Sequence, residues 1–182
     1  LKKQIWELNI INIRNFSISH GKVDDYPFGG GSGMILKADV LDKAILSLQN
    51  KSLPKYYLSP RGKKFDNYFA KKLSKQKGVT LICGRYEGID ERVIEHHNLI
   101  EISIGDYILS GGDLAAMVVL DSTVRLIPNV INNANALKEE SFNNNLLEYP
   151  LYTQPRKWKN HSVPEVLISG DHKKIKDWKI ER

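Results

Sequence analysis

The sequence SIGDYILSGGDLAAMVVLDSTVR, residues 103–125, predicts a strand end, a glycine-bearing turn and then a helix. Because residues 114–120 are consecutively apolar, that helix has no solvent face, and we expect it in a core or an interface. The turn includes three glycines, which let a backbone approach a flat ligand closely: Gly105, Gly111 and Gly112. Two interpretations stay open here. The turn is part of a ligand site, or it is a tight turn capped by Ser110 or Asp113.

The composition limits the class of protein. With 182 residues, 41% of them hydrophobic, the chain can bury the core of one compact domain. No apolar run approaches the ~20 residues that cross a bilayer, so we expect no membrane segment. The single cysteine, Cys83, excludes an internal disulfide and is typical of a reducing compartment. The net charge of +6 suits a polyanionic partner such as RNA or DNA.

The chain alternates predicted strands and helices. We expect strands at 5–13, 55–59, 79–84, 99–104 and within 163–170, and helices at 38–50, 64–77, 89–97 and 171–182. Asp39 is the expected N-cap of the first helix. The asparagine-rich residues 129–145 have the composition of a flexible loop. Strands that alternate with helices indicate an α/β fold with a mostly parallel sheet.

Three of the predicted turns follow strands and contain glycine: 60–62, 84–88 and 105–107. In a parallel sheet, ligands bind at the carboxyl ends of the strands, so three such turns together predict a pocket. A further glycine-rich segment, 29–33, is neither a P-loop nor a Rossmann fingerprint. It is either a loop that covers a substrate or an ordinary linker.

Candidate catalytic groups are the charged side chains near these turns and in the chain that follows. They are Asp24, Asp25, Arg61, Arg85, Glu87, Asp90, Asp106, Asp113, Arg125, Glu139 and Glu140. A carboxylate can remove a proton while a nearby arginine stabilises the anion that forms. Asp121 and Arg125 also stand four residues apart on one helix, where a salt bridge is the simpler interpretation. Composition and spacing do not choose among these groups.

Other reactive side chains have structural interpretations. Cys83 lies within an apolar strand, so we expect a buried thiol rather than a nucleophile. The five histidines lack a zinc-binding pattern, and no metal site is predicted. His96 and His97, at a helix end, are interpreted as structural or solvated. The lysines of the second helix form a solvated face, with an RNA-facing patch as the alternative.

Two motifs, GRYEGIDER at 84–92 and SIGDYILSGGD at 103–113, resemble those of the bacterial tRNA (guanine-N1)-methyltransferases. That family belongs to the SPOUT class of trefoil-knotted methyltransferases. The resemblance covers almost the whole chain, with further segments in the same order: VDDYPFGGGSGM (23–34), YLSPRG (57–62), RLIP (125–128), ESF (140–142), LLEYPLYTQP (146–155) and VPEVLISGDH (163–172). It implies a mostly parallel α/β sheet flanked by helices with a C-terminal trefoil knot. It also implies a cytoplasmic homodimer whose active sites are shared between subunits, which would account for the apolar helix.

The resemblance further implies a methyl donor, a substrate and roles for individual residues. The donor is S-adenosylmethionine, and the implied donor-binding positions are Pro60, Gly84, Tyr86, Glu87, Gly88, Ile104, Gly105, Tyr107, Leu109, Gly111 and Gly112. The implied reaction methylates N1 of the guanine just 3′ of the tRNA anticodon. Glu140 would be the base, Arg125 the cation that stabilises charge on the guanine, and Asp24 and Ser141 substrate-binding positions. Mg²⁺ is left open as a further cofactor.

The sequence departs from the family pattern at several positions. The implied base is glutamate where aspartate is frequent, and Glu139 beside it is the alternative base. Four other positions differ, two of which usually carry arginine and two of which often carry proline: Tyr26 and Gln154, and Ser32 and Ala115. Two alternatives therefore stay open. One is a non-catalytic RNA-binding relic of the fold, and the other is a SPOUT methyltransferase with another RNA substrate.

The resemblance also suggests a division into domains. Residues 1–160 correspond to the methyltransferase domain, and residues 161–182 to a linker and the start of a C-terminal helical domain that helps to hold tRNA. The family's N-terminal strand and helix would precede Leu1, and most of the C-terminal domain would follow Arg182.

Overall fold

The computed structural model describes residues 5–18, 21–131, 140–142 and 147–182. The chain divides into two compact units, residues 1–132 and 133–182. The domain boundary near residue 160 stays a prediction, and the predicted loop at 129–145 lies largely outside the described residues. No helix among those residues has the length and apolar character needed to cross a membrane.

The first unit is built around a parallel sheet. In chain order its elements are a 3-10 helix (Ile13–Phe16), β1 (Asp24–Asp25), β2 (Ile35–Leu36), α1 (Ala38–Leu46), β3 (Lys55–Lys64), α2 (Asn67–Leu73), β4 (Thr80–Cys83), α3 (Glu91–His96), β5 (Ile100–Ser103) and α4 (Gly112–Val124). β3 is the central strand and pairs in parallel with β4 on one side and β5 on the other. β1 and β2 form a separate antiparallel pair. The predicted α/β fold with a parallel sheet is confirmed.

Two hydrophobic clusters form the core on opposite faces of this sheet. Tyr57 of β3 packs among residues of α1 and α3, whereas its neighbours Tyr56 and Leu58 pack among residues of α2 and α4. Because successive strand residues point to opposite faces, the four helices form two layers with the sheet between them. Both faces of the sheet are therefore covered, and its strand ends are left to form a site.

The helix predicted at 38–50 is confirmed as α1, whose apolar residues at helical spacing are buried. The predicted cap is wrong, however. The N-cap residue is Lys37, whose side chain makes no capping hydrogen bond, and Asp39 lies in the first turn. A carboxylate there still interacts favourably with the positive end of the helix dipole.

Residues 5–12 have no regular structure, so the strand predicted at 5–13 is wrong. β-Favouring side chains stabilise a strand only where a neighbouring strand supplies hydrogen bonds and packing, and no described strand pairs with this segment. The turn predicted at 60–62 also differs. Residues 59–62 form a bulge inside β3, because Ile102 is the register partner of both Leu58 and Lys63. Gly62 is needed there, since an added Cβ would overlap the backbone of Ile102.

The helix α4 is only partly buried in the single chain, so of its two expected locations, a core or an interface, the interface stays a prediction. Ala115 and Val119 are buried, but Leu114, Met117 and Val118 are 57%, 65% and 45% exposed in the single chain. Exposed side chains of this size on one helix form an apolar surface.

The second unit contains an antiparallel hairpin of β6 (Lys157–Trp158) and β7 (His161–Ser162), followed by α5 (Glu165–Ile168) and α6 (His172–Glu181). The strand predicted within 163–170 is wrong, because Pro164 leads directly into α5. The helix predicted at 171–182 is confirmed. The Asp171 carboxylate caps it by accepting hydrogen bonds from the Lys173 and Lys174 amides, both at 3.1 Å.

Candidate functional site

A cleft of about 1370 Å³ opens at the carboxyl ends of the three parallel strands. Pro60 and Arg61 of the β3 bulge and the two turns at 84–88 and 105–107 contribute to its lining, together with residues of α1, α3 and the start of α4. The pocket predicted from these turns is therefore present. All eleven positions implied for donor binding line this one cleft: Pro60, Gly84, Tyr86, Glu87, Gly88, Ile104, Gly105, Tyr107, Leu109, Gly111 and Gly112. Their role in donor binding stays a prediction.

Gly112 joins two of the turns. Its amide donates a hydrogen bond of 2.8 Å to the carbonyl oxygen of Gly84. A Cβ at Gly112 would lie 2.9 Å from Cys83 Cα and 3.0 Å from the Gly84 nitrogen, closer than backbone atoms tolerate. Glycine is therefore required where the start of α4 crosses the end of β4. Neither of the predicted caps is formed, because the N-cap of α4 is Gly111 and no side chain caps it.

Tyr57 is a site residue that the sequence analysis did not identify. A Cβ at Gly84 would lie 3.1 Å from the Tyr57 ring and hydroxyl, and a Cβ at Gly88 would lie 2.8 Å from the hydroxyl. The buried tyrosine thus packs against the 84–88 turn and lines the cleft. Burial raises the pKa of its phenol, so the side chain stays neutral and keeps its proton for hydrogen bonding. Tyr57 lies within a predicted strand, where a tyrosine is typical of ordinary core, so no sequence pattern distinguishes it as a site residue.

The glycine-rich segment 29–33 leads into this same cleft. The amide of Glu87 donates to the Met34 carbonyl oxygen, and the amide of Leu36 donates to that of Gly88, both at 3.0 Å. A Cβ at Gly33 would lie 2.6 Å from Glu87 Cγ, so the segment runs directly against the 84–88 turn. Just before it, Phe28 is fully exposed and lines the cleft. These contacts favour a loop that borders a ligand over an ordinary linker.

Ion pairs fix several of the candidate charged groups. Arg85 and Asp113 are 2.9 Å apart, which ties the 84–88 turn to the first turn of α4. Arg61 in the β3 bulge is 2.8 Å from Glu91 and 3.2 Å from Glu101, and the hydrogen bond to Glu91 raises its pKa. These exposed pairs orient the turns more than they stabilise the fold.

Asp90 and Cys83 have structural roles. The Asp90 carboxylate caps α3, and the side-chain hydrogen bond from Arg92 lowers its pKa, so it is a poor proton acceptor at neutral pH. Burial raises the pKa of the Cys83 thiol to about 11, helped by the negative charge of Asp113. A thiol with that pKa is protonated at neutral pH, as expected for a core cysteine rather than a nucleophile.

Two predicted site residues of the first unit, Asp24 and Arg125, do not line this cleft. Asp24 pairs with Leu36 in the β1–β2 ladder, and its neighbour Asp25 lines the cleft instead. Arg125 follows α4 at the C-cap position in the first unit. Glu140 and Ser141 belong to the second unit, and Ser141 Oγ accepts a hydrogen bond of 2.9 Å from the Glu148 amide. Glu139 lies outside the described residues.

The fold and the cleft define a class: an α/β protein with a glycine-lined cleft at the carboxyl ends of its parallel strands, where proteins of this architecture bind ligands. The sequence profile of the family described as tRNA (Guanine-1)-methyltransferase TrmD matches residues 1–182. The chain belongs to this family.

Relatives with the name tRNA (guanine-N(1)-)-methyltransferase agree with the profile. The protein of Pelagibacter ubique is 53% identical over 183 residues, which cover 100% of this chain and 80% of the relative. That of Wolbachia pipientis wMel is 50% identical over 98% of this chain and 78% of its own length. That of Rhodospirillum rubrum is 47% identical over 100% and 77%.

Proposed function

We propose that this protein transfers the methyl group of S-adenosylmethionine to N1 of the guanine immediately 3′ of a tRNA anticodon. One observation carries the proposal: every position implied for donor binding lies on a single cleft in a chain of the guanine-N1 methyltransferase family. We expect the reaction to take place in the cytoplasm, where tRNA is the partner.

The cleft fits a nucleoside-type donor. Glycines at its strand ends leave backbone N–H and C=O groups close to any ligand, and side chains at Gly84 or Gly112 would collide with their surroundings. Exposed aromatic side chains, Tyr86 and Tyr107, stand at its rim and offer flat surfaces for stacking. When bound, S-adenosylmethionine supplies an electrophilic methyl group on a positively charged sulfur.

The protein's own residues must remove the proton from guanine N1. Guanine N1 is protonated at neutral pH and is a poor nucleophile until that proton is removed. We assign that step to the carboxylate of Glu140, which is half-buried, and assign Arg125 the hydrogen bond to guanine O6, where negative charge accumulates. The target base must leave its stack to reach the cleft. Asp24 and Ser141 are proposed to contact the substrate, and Mg²⁺ remains a prediction.

A homodimer and a trefoil knot belong to this proposal. The apolar surface of Leu114, Met117 and Val118 supports the dimer, because a second copy would remove it from water. The contact of the 104–112 segment with the 84–88 turn supports the knot. The Gly112–Gly84 hydrogen bond and the ladder contact between Arg85 and Gly111 hold these two strand-end segments together.

The proposal is tested by methyl transfer from labelled S-adenosylmethionine to two tRNA transcripts. One carries guanine 3′ of the anticodon, and its matched control carries adenine there. We expect label only in the first transcript. Label in both would mean a different RNA position, and tRNA binding without any transfer would favour the non-catalytic relic.

The catalytic assignment has its own test. Glu140→Gln removes the base but keeps the size of the side chain, so it should lower kcat by at least about 100-fold while donor binding changes little. Glu148→Gln is the matched control in the same unit and should keep full activity. Undiminished turnover in Glu140→Gln would show that another carboxylate is the base, and Glu139→Gln would be tested next.

A further inference from the structure

Two imidazoles and a carboxylate meet where α1 packs against α3. Asp42 belongs to α1, His96 is the last residue of α3, and His97 is its C-cap. One ligand atom from each side chain lies within 4.8 Å of the other two. Within the described parts of the chain, no other group of three His, Cys, Asp or Glu residues comes this close. The sequence spacing did not reveal it because the third group lies on a different helix.

We propose that Asp42, His96 and His97 bind a divalent transition-metal ion of the zinc type. Imidazole nitrogen and carboxylate oxygen are both ordinary zinc ligands, whereas Mg²⁺ and Ca²⁺ select sites made of oxygen. Two imidazoles also favour zinc and its neighbours over the hard cations. The inference rests on the geometry of these side chains and does not depend on the proposed methyl transfer.

The distances need only small adjustments. Zinc bonds of about 2.0–2.1 Å place tetrahedral ligand atoms roughly 3.3 Å apart. His97 Nε2 and Asp42 Oδ1 are 2.8 Å apart, so an ion between them would replace their hydrogen bond after a separation of about half an ångström. His96 is exposed and can close its gap by rotating about its side-chain bonds.

The surroundings hold the ligands in position. The His97 side chain is only 10% exposed, and the His96 ring lies edge-on to it, with 4.9 Å between the centroids. Arg92, one turn earlier on α3, is engaged with Asp90 at 2.7 Å, so its charge is partly balanced. All three ligands line the cleft, which leaves further coordination positions open to water or a bound molecule. Three protein ligands with an open position is a common zinc arrangement.

An ion at this position would link α1 to α3, the two helices on one face of the sheet. Because unfolding separates the ligands, the free energy of metal binding adds to the stability of the fold. Bound metal should therefore raise the melting temperature of the whole chain as well as occupy the site.

The test is calorimetric titration of the EDTA-treated and dialysed full chain with Zn²⁺, together with melting curves. We expect one equivalent to bind and the melting temperature to rise. His96→Ala is the decisive variant, since this exposed residue can be removed while the His97–Asp42 hydrogen bond remains. It should weaken binding at least about tenfold. Asp42→Asn should do the same while it keeps the size and the hydrogen-bonding capacity of the side chain.

Two matched controls define the site. Asp39→Asn removes a carboxylate one turn earlier on α1, and His172→Ala removes an imidazole in the second unit. Both should bind Zn²⁺ as the parent chain does. Absence of binding by the parent, or equal affinity in His96→Ala and the parent, would overturn the proposal. So would a loss of affinity in His172→Ala equal to that in His96→Ala, because it would locate the ion elsewhere.

Discussion

Replacing Gly112 by alanine should destabilise the first unit even when no ligand is present. The new Cβ would lie 2.9 Å from Cys83 Cα and 3.0 Å from the Gly84 nitrogen, whereas ordinary contacts begin near 3.4 Å. Both obstacles are backbone atoms, so no side-chain rotation relieves the overlap. The start of α4 must instead move away from the end of β4, which stretches the 2.8 Å hydrogen bond to Gly84.

The size of the effect follows from these contacts. The weakened hydrogen bond costs about 1 kcal/mol and the overpacking about 1–3 kcal/mol. The better helix propensity of alanine offsets up to about 1 kcal/mol, which leaves a loss of about 1–3 kcal/mol. In a chain of this size that corresponds to a fall of roughly 3–10 °C in melting temperature.

Chemical denaturation followed by circular dichroism would measure the change, with Gly111→Ala as the matched control. At Gly111 the backbone is extended, and the nearest neighbour of a new Cβ is the flexible Arg85 side chain at 3.0 Å. That variant should lose less than about 1 kcal/mol. Equal stabilities of the two variants would refute the claim that the turns are locked together at Gly112.

Three further predictions concern individual side chains of the first unit. Burial raises the pKa of Cys83 to about 11, so at pH 8 its thiol should be alkylated about 100-fold more slowly in the folded than in the unfolded chain. Iodoacetamide kinetics will measure the two rates, and comparable rates would contradict the burial of the thiol. The same raised pKa means that the neutral thiol's contribution to stability is complete below pH 9 and is lost as the pH rises through about 11. In Cys83→Ala, the free energy of unfolding should therefore fall less steeply with pH in this alkaline range. Met117→Lys should produce monomers in sedimentation experiments, because this side chain is exposed in the single chain and belongs to the apolar surface proposed for the dimer. A dimer of unchanged affinity would locate the interface elsewhere.

Residue patterns predicted the fold where local and tertiary preferences agree. The apolar spacing of α1 and the alternation of strands with helices are confirmed, and the glycines after β4 and β5 lie at one cleft as the rule for parallel sheets requires. The expectations that were wrong depended on partners that a single segment does not reveal. Residues 5–12 have β-favouring side chains but no described neighbouring strand, and the bulge at 59–62 arises from the register of β3 against β5.

The site could be predicted only in part, for a similar reason. Glycines mark the turns in the sequence because no other residue fits where Gly112 passes Cys83. No sequence pattern indicates a site role for Tyr57 or for the Asp42–His97 pair, because their contacts are made with residues distant in the sequence. The assignment of Glu140 and Arg125 comes from the resemblance and awaits the variants described above.

The most direct test of the central claim is the identity of the methylated nucleoside. The tRNA transcript that carries guanine 3′ of the anticodon would be incubated with the protein and S-adenosylmethionine. It would then be digested to nucleosides and analysed by mass spectrometry against standards. We predict 1-methylguanosine at up to one per tRNA, formed at least about 100-fold more slowly when the protein carries Glu140→Gln. Methylation at another guanine atom, on a ribose or on another base would contradict the proposed reaction, and so would no methylation at all.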